Sequence, residues 1–277
     1  MSPEPEILLE NLLDWFKSQD SVLVAFSGGA DSSLLAKIAS MVLGKKSLAV
    51  TADSSSLSRS ELEESKKLSI ELGITHMVIK TEELKDSRYS ANNLNRCYFC
   101  KEELFAKLGP IATQYGIKII VDGTNVSDLE SHRPGTTAAV EHGIRSPFVE
   151  LNIKKEDVRA LSKILGLSTF DKASTPCLSS RIAHGVTVTE ERLARVERAE
   201  AFIKSVVDTI ILRVRDHGEI ARIEVGREDR CLFFDEEILD KVDSELKKLG
   251  YLYVSFDFGG YRSGNMNQSD QLLVIKA

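Results

Sequence analysis

Val22-Leu23-Val24-Ala25-Phe26-Ser27-Gly28-Gly29-Ala30-Asp31-Ser32-Ser33 is the stretch on which the fold turns. Its first five residues are uniformly apolar, the pattern of a strand buried on both faces. The next seven are small, polar and glycine-rich. Leu34, Leu35, Ile38, Met41 and Val42 then recur at helical spacing as far as Gly44, a natural helix stop. Strand, glycine turn and helix therefore follow one another without a break. Glycines let the main chain turn sharply and bring its N–H groups close to a ligand. The start of the helix behind them adds unpaired N–H donors and positive dipole, a setting that suits phosphate. In an open sheet such a loop lies at the carboxyl edge, where the strand order reverses and ligands bind.

Working outward, residues 6–17 carry Leu8, Leu9, Leu12, Leu13 and Phe16 at helical spacing. Leu48-Ala49-Val50-Thr51, His76-Met77-Val78-Ile79 and Lys118-Ile119-Ile120-Val121 read as further strands. Ser58 and Glu61 form a capping-box pattern that opens a helix to Leu72, closed by Gly73. Helices are also expected over 97–114, around 137–142 and over 154–165. This alternation predicts an α/β fold, a parallel sheet covered on both faces. Residues 166–188, with Pro176 and Gly185, break the rhythm and read as a functional loop. A charged helix over 189–206, strands near 209–215 and 219–225, a helix over 235–249 and a strand over 251–256 make a smaller α+β unit. The expected division is 1–173, a linking cysteine loop at 174–188, and 189–277.

A length of 277 residues suits two domains. With 42% hydrophobic and 28% charged residues the chain has an ordinary soluble composition. The net charge of -6 is the wrong sign for gripping a nucleic-acid backbone. No apolar run approaches the ~20 residues of a membrane span. Met1-Ser2-Pro3-Glu4-Pro5-Glu6 lacks the basic start of a signal peptide. A cytoplasmic protein with no membrane and no nucleic-acid partner is expected. Cys97, Cys100, Cys177 and Cys231 are too sparse for a disulfide framework.

The glycine loop is neither a Walker A loop nor Gly-x-Gly-x-x-Gly. It matches the loop of the PP-loop ATP pyrophosphatases, which split ATP into AMP and pyrophosphate. That resemblance implies ATP and Mg2+, with Ser27, Gly28, Gly29, Asp31, Ser32 and Ser33 at the phosphates. Asp31 suits either magnesium or the capping of the helix. Thr51-Ala52-Asp53 ends the second strand, where such enzymes hold adenosine, so Ala52 joins the ATP-binding candidates. Asp122-Gly123-Thr124-Asn125 ends the fourth strand on the same sheet edge. Gly123 there lets the chain pass close to a nucleotide, with Thr124 beside it; a plain βα turn is the other reading. Asp128 and Glu130 suit magnesium or a solvated loop equally. Enzymes of this class adenylate an oxygen, and a nitrogen or sulfur nucleophile then replaces AMP; the loop does not choose between them.

Cys97-Tyr98-Phe99-Cys100 opens a helix, a position that favours thiolate. Cys177 lies in the polar loop Ser174-Thr175-Pro176-Cys177-Leu178-Ser179-Ser180-Arg181. Cys231, ahead of Leu232-Phe233-Phe234, reads as a small core residue. A four-cysteine zinc site would need a further ligand. Three thiolates leave one iron of a [4Fe–4S] cluster open. A redox pair, or zinc completed by histidine, remain alternatives.

Together SGGADSS (27–33), RCYFCK (96–101), DGTN (122–125) with HRPG (132–135), PCLSSR (176–181) and LRVRDHGEIARIEVG (212–226) resemble the LarE family of nickel-pincer cofactor synthesis. The resemblance runs from residue 7 to about 272. It implies an adenine nucleotide alpha hydrolase-like, Rossmann-like domain. It implies an enzyme that adenylates a carboxylate of pyridinium-3,5-biscarboxylic acid mononucleotide and replaces AMP by sulfur. Members with one cysteine, matching Cys177, give up its sulfur. Members with three, matching Cys97, Cys100 and Cys177, are similar to enzymes that carry a [4Fe–4S] cluster as the metal site and pass on an added sulfide. This sequence matches the second kind. The catalytic candidates are Cys177, Ser180 and Arg181 of one loop, and Asp31. Arg213 and Arg215 are implied at the substrate phosphate; two apart on a strand, they share a face. Surface arginines on an edge strand are the plainer reading. Glu197 and Glu200 read as a solvated helix face, and His217 as a turn residue. Small-molecule substrate, a sulfide or other sulfur donor, and a homo-oligomer complete the expected partners. Competing readings are sacrifice of Cys177, an amidating ligase of the NAD synthetase type, a tRNA thiolase, disfavoured by the charge, and a nucleotide-binding module without catalysis.

Overall fold

The structure is a computed structural model that describes residues 4–129, 134–173, 175–262 and 264–267. Its chain folds as two compact units. In chain order the elements are α1 (Pro5–Lys17), β1 (Val22–Ala25), α2 (Ala30–Leu43), β2 (Ser47–Asp53), α3 (Arg59–Leu72), β3 (His76–Lys80), α4 (Ser87–Ser90), α5 (Arg96–Gln114), β4 (Ile119–Val121), α6 (Val126–Leu129), α7 (Pro134–Glu141), α8 (Pro147–Glu150), α9 (Lys155–Ile164), α10 (Glu190–Val206), β5 (Leu212–Asp216), β6 (Ile220–Val225), α11 (Glu236–Lys248) and β7 (Tyr253–Phe256). Short 3-10 turns join several of them.

The first unit comprises residues 1–86 and 95–175. Its sheet has the order β3-β2-β1-β4, every pair parallel. The order reverses at β1, so the loops after β1 and β4 meet at the switch point. One face is covered by α1, α2 and α9 through Leu12, Phe16, Leu34, Leu35, Ile38, Val158 and Leu161. The other is covered by α5 and α7 through Phe105, Leu108, Ala138 and Ala139. Burial on both faces is why the strands are apolar without alternation. α3 begins at Ser58, whose side chain accepts from Glu61 N, and stops at left-handed Gly73.

The second unit comprises 87–94 and 176–277, so it draws a short early segment into an otherwise C-terminal body. Its sheet has the order β5-β6-β7, antiparallel then parallel. α10 and α11 cover one face, with Ala199, Ile203, Val214, Ile223, Val242 and Leu246 in the core. Asn92, fully buried and at φ 58°, belongs to the inserted segment. Its Nδ2 donates to the carbonyls of Ala183 (2.8 Å) and Val186 (2.9 Å). A contiguous reading of the sequence has no means of foreseeing that exchange.

Among the described residues no helix is long and apolar enough to cross a membrane. Fold class and parallel sheet agree with the sequence reading.

Candidate active site

The nucleotide loop is built by main-chain geometry. Phe26 N donates to Val50 O at 2.8 Å, carrying the β1–β2 pairing one residue past the strand. Gly28 then turns at φ +72°, and a Cβ there would lie 3.1 Å from Ser65 Cβ. Conformation and space both require glycine. Ser32 Oγ accepts from Ser27 N at 3.1 Å and closes the loop on itself. Gly29 is the N-cap and has no side chain to offer. Ser33 N to Gly29 O, 3.0 Å, is the first bond of α2. Among the described residues the amides of Ala30, Asp31 and Ser32 find no acceptor. Three free N–H donors at a helix start form an anion cradle. A triphosphate fits that donor set.

Asp31 does not cap α2. Its Oδ1 accepts from Asn125 Nδ2 (3.1 Å) and its Oδ2 from Lys155 Nζ (2.5 Å). Of the two readings of Asp31, the cap is the one that does not hold, since Gly29 is the N-cap, Asp31 is the second residue of the helix and no side chain caps it. Gly123 also meets a packing requirement. A Cβ there would sit 3.0 Å from both Asp31 Cβ and Ser32 N. Gly123 thus lets the loop after β4 lie on the first turn of α2. Asp122 shapes that loop by accepting from Thr124 N (3.2 Å), Thr124 Oγ1 (2.7 Å) and Ser146 Oγ (2.7 Å). Among the described residues Asn125 Oδ1 and Ser33 Oγ are buried without partners. Thr51 Oγ1 donates to Phe26 O at 2.7 Å and accepts from His76 Nε2 at 2.8 Å. Burial holds the His76 imidazole below its ordinary pKa. Ala52 follows, half-buried, and Asp53 pairs with Arg59. Asp128 accepts from Asn125 N, while Glu130, His132 and Arg133 lie outside the described residues.

Sequence reasoning missed Lys155 and Lys172. Both cations belong to the loop region, yet their partners Asp31 and Gly28 lie more than a hundred residues away. No local pattern marks such pairs.

Cys97 is exposed and Cys100 half-exposed in the first turns of α5, three residues apart and so on one side of the helix. Gly135 at the start of α7 packs over this turn; its Cβ would meet Lys101 Cγ at 3.1 Å and Cys97 O at 3.6 Å. Cys177 is exposed, with its Sγ 3.0 Å from Ser179 Oγ. All four thiols are free of disulfides. Among the described residues no group of three His, Cys, Asp or Glu side chains stands together as a metal centre. Cys231 corrects the sequence reading: it is exposed on the 3-10 turn Glu228–Phe233, and Phe233 takes the core position instead.

In the second unit the cysteine loop is held by arginines. Arg181 is buried, and its Nε and Nη2 donate to the two oxygens of Glu200 at 3.0 and 3.2 Å. Its Nη1 donates to Pro176 O and, at 3.1 Å, to Cys177 O. Glu200 also accepts from Val214 N at 3.0 Å. The helix face carrying Glu200 is therefore core and not solvated, because the carboxylate answers a buried guanidinium. Arg215 pairs with buried Glu224 at 2.8 Å and donates to Ser180 O at 3.1 Å. The exposed-edge reading of Arg215 fails for the same reason. Glu224 is further satisfied by Arg222 and Asn265. Arg213 differs: among the described residues it has no carboxylate partner. Its Nη1 donates to Leu212 O, and its guanidinium lies 5.4 Å from the Tyr261 ring. Burial, then repulsion from Arg181, pulls its pKa below the ordinary arginine value. An unpaired, crowded cation invites an anion. Ser180 is half-buried beside these groups, and His217 is an exposed turn residue.

Comparison with known proteins fits this architecture. Residues 7–114 match the NAD synthase family model. The chain is 37% identical to the pyridinium-3,5-bisthiocarboxylic acid mononucleotide synthase of Lactiplantibacillus plantarum, over 91% of each chain. It is 43% identical to an uncharacterized Synechocystis protein over 95% of this chain and 98% of that one. An uncharacterized Methanocaldococcus jannaschii protein is 30% identical, over 92% and 96%. The chain belongs to the LarE family, a family of PP-loop enzymes to which that synthase also belongs.

Proposed function

We propose that this protein is an ATP-dependent sulfur transferase acting on pyridinium-3,5-biscarboxylic acid mononucleotide. The observation that carries the reading is likeness to the named synthase along nearly the whole of both chains. The free amides at the start of α2 support it chemically.

In this reading a substrate carboxylate oxygen attacks the α-phosphorus of ATP. The bond to pyrophosphate breaks and an acyl adenylate forms. A sulfur nucleophile then attacks the acyl carbon, the C–O bond to AMP breaks, and a thiocarboxylate remains. The amides of Ala30, Asp31 and Ser32 bind the departing pyrophosphate, and Lys155 adds positive charge beside them. Asp31, with Asp128, would hold Mg2+, which offsets phosphate charge when bound. Arg213 takes the substrate phosphate, since Arg181 and Arg215 are occupied in holding the cysteine loop. Arg181 is thus a positioning residue for Cys177, with Ser180 beside it. By donor chemistry the thiols of Cys97, Cys100 and Cys177 suit a [4Fe–4S] cluster. When bound, such a cluster would offer an iron without a cysteine as a place for sulfide. The reading assigns ATP chemistry to 1–173, sulfur delivery to 174–188 and substrate phosphate to 189–277, in a cytoplasmic homo-oligomer.

The test supplies ATP, Mg2+, sulfide and the biscarboxylate mononucleotide anaerobically, then follows pyrophosphate release and product mass. Substrate-dependent pyrophosphate with an oxygen-to-sulfur exchange in the product is expected. Pyrophosphate release without sulfur incorporation would refute the sulfur transferase. Loss of the elements of H2S from Cys177 after turnover would assign the sulfur to that residue and remove the cluster from the reading.

A further inference from the structure

Lys172 lies in Phe170-Asp171-Lys172-Ala173, five residues before Cys177 in the sequence. Its side chain is 17% exposed. The ammonium donates to Glu64 Oε2 at 3.1 Å, Glu61 Oε2 at 3.3 Å and Gly28 O at 3.3 Å. A lysine this buried needs a carboxylate, and α3 provides two. The bond to a main-chain carbonyl of the nucleotide loop is additional to that need.

The carbonyl matters because of peptide geometry. In a planar trans peptide the C=O and the following N–H point in opposite directions. Holding Gly28 O therefore sets the direction of Gly29 N–H. Two consecutive glycines have wide main-chain freedom, and Gly28 sits at φ +72°. Ser65 walls Gly28 on one side, at 3.1 Å from where a Cβ would be. Lys172 supplies the hydrogen bond that fixes the peptide's rotation. Among the described residues Gly29 N has only a long 3.4 Å approach to Ser27 Oγ, so its proton is available to a phosphate oxygen.

We propose that Lys172 is a positioning residue of the nucleotide loop: it clamps the Gly28–Gly29 peptide so that Gly29 N–H joins the three free amides of α2. This rests on the reading of the loop as an ATP site. Lys172 holds loop backbone through Gly28 O, so its effect falls on nucleotide affinity more than on the chemical step.

The experiment compares wild type with Lys172→Arg, Lys172→Gln and Lys172→Met as full-length protein. Magnesium α,β-methylene ATP binding is measured by calorimetry, with KM for ATP and kcat from pyrophosphate release. Loss of one charge-assisted hydrogen bond predicts about tenfold weaker nucleotide binding and a matching rise in KM for Lys172→Met, with kcat within about threefold. Lys172→Arg should recover most of the affinity. Lys172→Gln, which keeps an N–H donor without charge, should fall between. Equal losses in Gln and Met would assign the effect to charge alone and overturn the clamp. Unchanged affinity in Met would overturn it too. If Met does not fold, as judged by circular dichroism, the order of Arg and Gln against wild type decides. Wild-type protein that binds no nucleotide would instead overturn the ATP reading, and the clamp with it.

Discussion

Replacing Glu200 by leucine tests whether the cysteine loop is held by a desolvated ion pair. The side chains of Arg181 and Glu200 are 3% and 10% exposed, so solvent screens little of their interaction. Glu200→Leu removes the acceptor of two guanidinium bonds and of Val214 N–H at once. Breaking a buried pair from one side costs about 3–5 kcal/mol, because a charge is left without compensation. Against a total stability of about 5–15 kcal/mol, that is enough to shift the unfolding midpoint visibly without abolishing the fold. Urea denaturation followed by far-ultraviolet circular dichroism measures it. The same variant frees Arg181 from the orientation in which it holds Pro176 O and Cys177 O, so Cys177 should react faster with iodoacetamide. The double variant Arg181→Met, Glu200→Leu should recover much of the stability, since apolar replacement of both partners removes the buried charge. It should not restore slow alkylation of Cys177. A Glu200→Leu cost below about 1 kcal/mol, with unchanged Cys177 alkylation, would refute the buried-pair account.

Gly123→Ala should destabilise by about 1–3 kcal/mol through overpacking against α2 and should weaken nucleotide binding; thermal melting and calorimetry check both. His76 has a depressed native pKa, so the unfolded chain binds more protons, and stability present above the unfolded value near 6.5 falls as pH drops through the native value. Urea titrations at several pH values should show His76→Gln losing that part of the slope. Cys231→Ser should leave stability within about 0.5 kcal/mol, as for any exposed site, and should remove one rapidly reacting thiol from a titration with Ellman's reagent.

What the letters reveal depends on how local the cause is. The strand-turn-helix of 22–44 is legible because apolar periodicity, glycine positions and helix stops all act within a few residues. Ser58 and Gly73 could be read for the same reason, and α3 starts and ends where they say. The site reads less completely. Gly28 and Gly123 are visible as glycines, but the neighbours that demand them, Ser65 and the α2 backbone, are apparent only in three dimensions. Glu200 looks like one more charge on a charged helix until Arg181 is found opposite it. Cys231 precedes two phenylalanines, yet a 3-10 turn rotates it to the surface and Phe233 inward. Lys155 and Lys172 carry no local signature, because each answers a group far away in sequence.

The borrowed segment Ser87–Leu94 bears on how the molecule can be made and taken apart. During synthesis the second body cannot close until the ribosome has delivered the strands beyond residue 212, while Asn92 has long since emerged. A fragment cut at residue 176 would lack Asn92 and lose the bonds that its side chain donates to the carbonyls of Ala183 and Val186. The two bodies are therefore not beads to be expressed singly. A dissection that respects the topology must carry 87–94 along, by circular permutation or by supplying it as a peptide.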